Sequence, residues 1–352
     1  MKNNYQITIV ISIFLFLCVQ QSHAQYSTIK VKKKYESYED SIKQVKYDYI
    51  LPIWGQGAYS NGFDIPYPVG IMSNFIWMKQ GLVIDNMQLG LKTDDKDIPL
   101  TSTDFIEFGE NTNTSFVSSI RPDVWIFPFL NVYGLFGYGK THTEVNLTAP
   151  VALKSVVDQG VRSLGIGVMG AFGLGPVWVS VDANWTWNKP ELVEDPTRVS
   201  VLGLRFGHTF VFKKRPDRNI AIWAGGFRLS MSPETYGSIS LAEALPPETW
   251  DRTDEIVESY DLWYDDLSPA KKAIVDATPV PDIVEKIGEA DGDAIISYGM
   301  DKQTKELWNG IIGLQYQPNK KWQFRTEAGI IGDRKSILLS INYRLLGLKR
   351  KS

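Results

Sequence analysis

Residues 176–188 read Pro-Val-Trp-Val-Ser-Val-Asp-Ala-Asn-Trp-Thr-Trp-Asn, and their alternation decides the fold. Val177, Val179, Val181, Ala183, Trp185 and Trp187 fall on one face of an extended chain, and Trp178, Ser180, Asp182, Asn184, Thr186 and Asn188 on the other. Successive side chains of a strand point to opposite faces, so this period-two pattern is a strand with one greasy and one polar side. Half-buried soluble sheets and lipid-embedded barrels both produce it. What separates them is how the other strands are connected.

Working outward, further strands are expected at 69–78, 82–92, 115–125, 129–144, 162–172, 198–212, 219–231, 308–317, 322–331 and 336–346. The connections sort into two sets. Those at 79–81, 126–128, 173–176, 213–218 and 318–321 are short, whereas those at 93–114, 145–161, 189–197 and 232–307 are long, with 332–335 the short exception. Short turns at one end and long loops at the other are the habit of transmembrane barrels. Such barrels normally have an even strand count, which calls for one earlier crossing. The segment 47–59 is the candidate, although Pro52, Gly55 and Gly57 suit a strand poorly. The expectation is an all-β, antiparallel transmembrane β-barrel of about 12 strands with a partly helical acidic insertion.

The N-terminus supplies a compartment. Lys2, an apolar run over 7–19 and Ser22-His23-Ala24 have the order of a secretory signal cleaved after Ala24. Residues 25–46 then form a polar periplasmic leader, and 47–352 the barrel. No other stretch offers about 18 uninterrupted apolar residues for a helical span. Leu17 stands before Cys18 where lipidation wants a small residue, and beyond Cys18 the chain has no cysteine to form a disulfide.

Trp77, Trp125, Trp187, Trp308 and Trp322 lie near strand ends, where amphipathic rings settle at lipid headgroups. Signal, strands of about ten residues, aromatic girdle and sorted loops together resemble the Gram-negative outer-membrane β-barrel proteins. In the last strand, 337–345, Ser340, Asn342 and Arg344 alternate with apolar residues, similar to the terminal strand of that class. The chain departs from it by running on into a basic tail, 347–352, with no terminal phenylalanine. The resemblance implies residence in the cell outer membrane, with lipid as a partner, and carries over no substrate and no catalytic residue.

Alternation turns Arg121, Asp123, Asp182, Arg205, Arg325, Glu327 and Arg344 toward the lumen, since an arginine on the lipid face costs about 2–4 kcal/mol at midplane. Their expected role is structural pairing that lines or fills a narrow barrel, with a solute-selective ring as the alternative. The insertion, read over 232–305, carries 17 Asp and Glu against 6 Lys and Arg, a net of −11 in a chain of net −3. Ser268-Pro269 reads as a helix start, and Trp250, Ile256, Val257, Tyr260 and Trp263 give 251–264 an apolar side. The insertion is therefore either a plug whose Asp251, Asp254, Glu255 and Glu258 meet Arg205 and Arg325, or a solvated outer loop.

Catalytic and metal patterns are weak. His142, in Lys140-Thr-His-Thr-Glu144, has no serine or acid assignable by spacing, and His208 lies between Phe206 and Phe210 on the lipid face. Asp291-Gly-Asp293 starts like a calcium loop but has Lys302 where the twelfth-position acid belongs. Gly137-Tyr-Gly139 and Gly165-Ile-Gly167 fall inside strands, where glycine serves the wall and not a phosphate. No metal and no cofactor is expected, and a mildly acidic chain gives no support for nucleic-acid binding. The functional expectation is a channel or transporter for small solutes. A non-conducting barrel displaying surface loops is second, and an outer-membrane hydrolase third.

Overall fold

The computed structural model describes residues 29–350 other than 175, 176, 213, 214 and 216. The segment read as a signal peptide, with Cys18, lies outside the described residues, as does part of the basic tail. Helices α1 (Ile29–Lys43) and α2 (Gly55–Ser60) come first. Then follow β1 (Val69–Lys92), β2 (Asp97–Ser102), β3 (Glu107–Phe108), β4 (Asn111–Phe127), β5 (Leu130–Ala149), β6 (Leu153–Leu174), β7 (Val177–Pro190), β8 (Thr197–Val211) and β9 (Asn219–Met231). The insertion holds β10 (Glu234–Ser240), α3 (Leu241–Ala244), a 3-10 turn (Pro247–Arg252), α4 (Thr253–Asp265), α5 (Pro269–Asp276), α6 (Val280–Gly288) and β11 (Ile295–Thr304). The wall is finished by β12 (Trp308–Gln317), β13 (Trp322–Ile331) and β14 (Lys335–Leu345).

Among the described residues, ten strands close an antiparallel ring in the order β1, β4, β5, β6, β7, β8, β9, β12, β13, β14 and back to β1. The first half of β1 makes the closure, with Val69 opposite Leu345 on one side and Val124 on the other. A closed ring leaves no unpaired edge, which is the condition for a sheet to cross lipid. β2, β3, β10 and β11 stand outside the ring, making 14 strands among the described residues.

The count differs from the expected twelve at two places. Residues 79–81 are no turn, because β1 runs straight through them, paired with β4 as far as Leu82 opposite Asn111. The Gly81 N–H donates to Asp333 (2.6 Å) and Gln80 accepts from Arg334 (2.7 Å), so the β13–β14 connection holds this polar stretch extended. Residues 47–59 form no strand either. Trp54 adopts a left-handed conformation with φ 69°, α2 follows it, and the Tyr47 ring lies so close over Gly55 that a Cβ there would sit 2.7 Å from its Cδ1. Nor is 145–161 a loop, since β5 and β6 continue as a long hairpin joined at residues 150–152.

Exposure along β14 shows the inverted partition of a lipid-embedded wall. Ser340, Asn342 and Arg344 are 3%, 2% and 4% exposed, whereas Ile337, Leu339 and Ile341 are 48%, 52% and 43% exposed. Phe75, Phe116, Phe136, Ile166, Val181, Leu204, Ile222 and Phe324 continue this outward apolar face around the ring. Trp77, Tyr138, Trp187 and Trp308 mark one rim of the belt, and Phe129, Phe172, Phe210 and Trp322 the other. An apolar surface of that extent is stable only against lipid or a partner. A closed barrel with an apolar outer belt and a polar interior is an integral outer-membrane β-barrel.

The two ends are built differently. At the end carrying the short turns, the leader folds across the opening: Tyr38 donates to Asp64 (2.6 Å), Lys320 pairs with Asp64 (2.6 Å) and the Ile53 N–H donates to the Ile126 carbonyl (2.8 Å). At the other end the insertion is a folded cap. Val280, Ile283, Val284 and Ile287 recur at the spacing of one helical face and are all buried. One cluster joins Leu91 to Leu241, Leu245, Ile256 and Ile287, and another joins Ile106 to Tyr260, Val275 and Val280. Ser268 caps α5 by accepting from the Lys271 N–H, as its sequence suggested.

Candidate functional site

The barrel interior is crossed at mid-height by a charged septum. Arg205 projects from β8 between Gly203 and Gly207. Its Nε and Nη2 donate to Glu327 Oε2 and Oε1 of β13 at 2.8 and 3.1 Å, and its Nη1 meets Asp182 of β7. Glu327 also accepts from Arg325 Nη2 (2.8 Å) and from the Trp223 indole (2.9 Å). Asp182 accepts from Asn184 (3.1 Å), and Asn184 in turn accepts from the Tyr133 hydroxyl. The guanidinium of Arg325 stacks 4.7 Å from the Trp223 ring centre, and that of Arg121 stacks 3.9 Å from Tyr133. Gly203 makes the space: a Cβ there would lie 2.6 Å from Asp182 Oδ1 and 2.7 Å from Arg205 Nη1.

A second pair sits nearer the short-turn end. Arg344 of β14 bonds Asp123 of β4 at 2.9 Å, Asn131 donates to the same carboxylate at 2.7 Å, and Arg344 Nε donates to the Tyr67 carbonyl at 2.7 Å. Arg344 and Asp123 are both 4% exposed. Six of the seven charges singled out from the sequence thus fall into two ion-pair groups. Arg121 is the seventh, and among the described residues it faces an aromatic ring instead of a carboxylate. The carboxylates of α4 do not reach this set: Glu255 pairs with the neighbouring Arg252 at 2.7 Å on the solvent side. In this structure the insertion forms a cap, and Arg205 and Arg325 are held by Glu327 of the wall.

Two cavities lie on opposite sides of the septum. The lower, about 700 Å³, opens at the short-turn end and is lined by Arg121, Arg325, Arg344, Trp178, Trp223 and Tyr38 of the leader. The upper, about 200 Å³, lies beneath the cap and is walled by Ile84, Leu147, Val157, Ile287 and Met300. The same strands serve both. β1 lines the lower with Met72 and the upper with Ile84, and between them Asn74 and Gln80 are each 7% exposed. On β5 the lining passes from Asn131 to Thr143 across the buried Tyr133. A polar ladder fills the interval: Ser340 donates to Asn74 (2.8 Å) and Asn74 to Ser119 (3.2 Å).

Sequence reading missed Lys302 and Arg334. Arg334, 1% exposed, was placed in a turn, yet it reaches inward to Gln80 and to the Glu306 carbonyl (3.3 Å). Lys302 was weighed only as the residue that spoils a calcium loop. Its parity with Ile296, Tyr298 and Met300 on β11 was the signal that it faces inward with them.

His142 stands outside the belt, on the protruding part of β5, with Nδ1 2.9 Å from Asp158 and Nε2 3.2 Å from Glu144. Hydrogen bonds to Asp158 and then Glu144 hold its imidazolium above the usual histidine range. With carboxylates at both ring nitrogens the side chain is a clamp between β5 and β6. His208 lies on the outward face with its ring edge-on to Phe210, centroids 4.5 Å apart.

No family model matches the chain, and no curated protein is significantly similar to it. Among solved structures, it is similar to the β domain of the Bordetella autotransporter Brka, at 8% identity over 79% of this chain and 100% of that one, with a TM-score of 0.36. The transport unit of the autotransporter AIDA-I from Escherichia coli matches at 8% identity over 90% and 99%, with a TM-score of 0.34. The Ralstonia pickettii toluene transporter TbuX matches at 9% identity over 80% and 90%, with a TM-score of 0.28. The barrel assignment rests on the ring closure and the apolar belt of this chain, not on these likenesses.

Proposed function

We propose that this barrel is a gated transporter for a small solute, with the long-loop cap outside the cell and the leader in the periplasm. The observation that carries the reading is the pair of cavities divided by the Asp182–Arg205–Glu327–Arg325 septum. A barrel of ten strands has an interior that side chains can fill. This one is filled from the septum up to Gln80 and Arg334, leaving room below it and, beyond the ring, beneath the cap. Ion pairs can exchange partners without exposing an apolar core, so a septum made of them is physically suited to move: Arg205 already has two carboxylates to choose between. In this reading outer-membrane lipid surrounds the belt, and residues 1–24 are the export signal.

Planar-bilayer recording tests it. The wild-type barrel should conduct little, and Arg205→Ala, which removes the shared partner of Asp182 and Glu327, should raise single-channel conductance several-fold in protein that remains heat-modifiable on gels. A folded Arg205→Ala barrel as silent as the wild type would count against a gate.

The second reading is a non-conducting barrel that displays its cap for surface interaction. It is favoured by the cap's own buried core around Leu241, Leu245, Ile256 and Ile287, which makes the cap a folded unit instead of a loose loop.

A further inference from the structure

The chamber beneath the cap is lined mainly by apolar side chains. Five polar side chains line it besides Lys302, and each has a partner. Thr143 accepts from Asn113 (2.8 Å), Ser155 donates to the Ala244 carbonyl (2.7 Å), and Gln159 accepts from the Leu192 N–H (3.1 Å). Thr235 donates to the Pro233 carbonyl (3.3 Å) and Tyr298 to the Leu192 carbonyl (3.1 Å). Lys302 is different. Among the described residues its ammonium has no carboxylate and no hydrogen-bond acceptor, although it belongs to the chamber lining.

The acids nearest in the chain cannot serve it. Asp301 is the adjacent residue of β11, so its side chain takes the opposite face, where it accepts from Asn86 (2.6 Å). Asp85 is the register partner of Asp301 and shares that face, while Lys302 stands opposite Ile84. Desolvation alone pushes the Lys302 ammonium below the usual lysine range, with no neighbouring charge to oppose it. A half-buried cation set in an apolar lining without a partner is costly, and such groups concentrate where a ligand brings the missing charge.

We propose that the chamber binds a small anionic amphiphile, its carboxylate paired with Lys302 and its hydrocarbon part against Ile84, Leu147, Val157, Ile287 and Met300. The size limits the class. A volume of about 200 Å³ is below the ~300–1,000 Å³ of drug-sized sites, while an apolar cavity of ~150 Å³ admits benzene. A one-ring or short-chain carboxylate fits, and a long acyl chain does not. This deepens the transport reading by naming a solute class, and rests on that reading for its role in the cell.

The test uses the full mature chain folded in detergent, with benzoate as the probe and benzyl alcohol and benzylammonium as neutral and cationic counterparts. Isothermal titration should show saturable benzoate binding, at least tenfold weaker binding of benzyl alcohol, and none of benzylammonium. Lys302→Met should lose tenfold or more for benzoate and leave benzyl alcohol unchanged. Reductive 13C-methylation of the wild-type chain supplies a readout that needs no variant, because the Lys302 methyl resonance should shift on benzoate addition. Equal benzoate affinity in wild type and Lys302→Met, or a Lys302 resonance indifferent to benzoate, would overturn the proposal. Liposome swelling keeps the two readings apart. Benzoate binding without flux removes transport and leaves the site, and flux of a neutral sugar without benzoate binding does the reverse.

Discussion

Arg205 grips Glu327 with a two-point fork, 2.8 and 3.1 Å, although β9 and β12 separate their strands in the wall. The contact is a chord across the lumen, and it braces one side of the ring against the other. Truncating one member of a buried ion pair strands the rest, at about 3–5 kcal/mol. Arg205→Ala should therefore destabilise the barrel by that order in guanidinium refolding into micelles. Asp182→Asn added to Arg205→Met should recover much of the loss, because the carboxylate left without a cation is then gone while Glu327 keeps Arg325. A double variant as unstable as Arg205→Ala would show that packing, not charge, sets the cost.

Val181 and Asp182 are neighbours on β7 facing opposite media, 43% and 8% exposed. Val181→Arg should cost about 2–4 kcal/mol near midplane. Val181→Leu, which keeps an apolar side chain toward lipid, should cost almost nothing. Equal losses for the two would place Val181 away from lipid.

Gly203→Ala adds one methyl against the Asp182–Arg205 pair. Its Cβ would lie 2.6 Å from a carboxylate oxygen and 2.7 Å from a guanidinium nitrogen, so the pair has to shift. Both groups are ends of side chains, which makes the strain small and its target local. The expected outcome is a folded barrel with altered conductance and the wild-type melting pattern on gels. Wild-type conductance in Gly203→Ala would separate the pair from the gate.

The His142 imidazolium is favoured by Asp158 and Glu144, so its titration midpoint should exceed the model-peptide value of about 6.5 in an NMR titration. A raised folded-state value means the folded chain holds its proton longer. The stabilisation is full below the unfolded midpoint and is lost as pH rises through the folded one. Asp158→Asn with Glu144→Gln should return the midpoint to the ordinary range. His208→Gln assigns the resonance.

Deleting residues 240–293 should leave ion selectivity unchanged, since Glu255 pairs with Arg252 on the solvent side while Arg205 and Arg325 are held by Glu327. The same deletion uncovers Leu89, Leu91 and Ile296, so binding of a fluorescent apolar dye should rise. A large shift in reversal potential would restore the plug.

Which face of each strand is apolar was legible from the residues alone, because a two-residue repeat follows from covalent geometry and needs no partner. Residues 176–188 carried that information, and the sorting of short and long connections carried the barrel class. Tertiary pairing decided the strand number. Lys79-Gln80-Gly81 has turn composition, and what keeps it inside β1 is its pairing with Thr112 to Thr114 of β4 together with the grip of Asp333 and Arg334, 252 and 254 positions along the chain from Gly81 and Gln80. Pairing also decided the partners: Arg205 has Asp182 and Glu327, and Arg121 has an aromatic ring, because contact across a closed lumen depends on ring order and not on spacing. Lys302 became visible as a lone cation only when cap, hairpin and β11 enclosed one chamber, since a missing partner is a property of the whole enclosure and of no single segment.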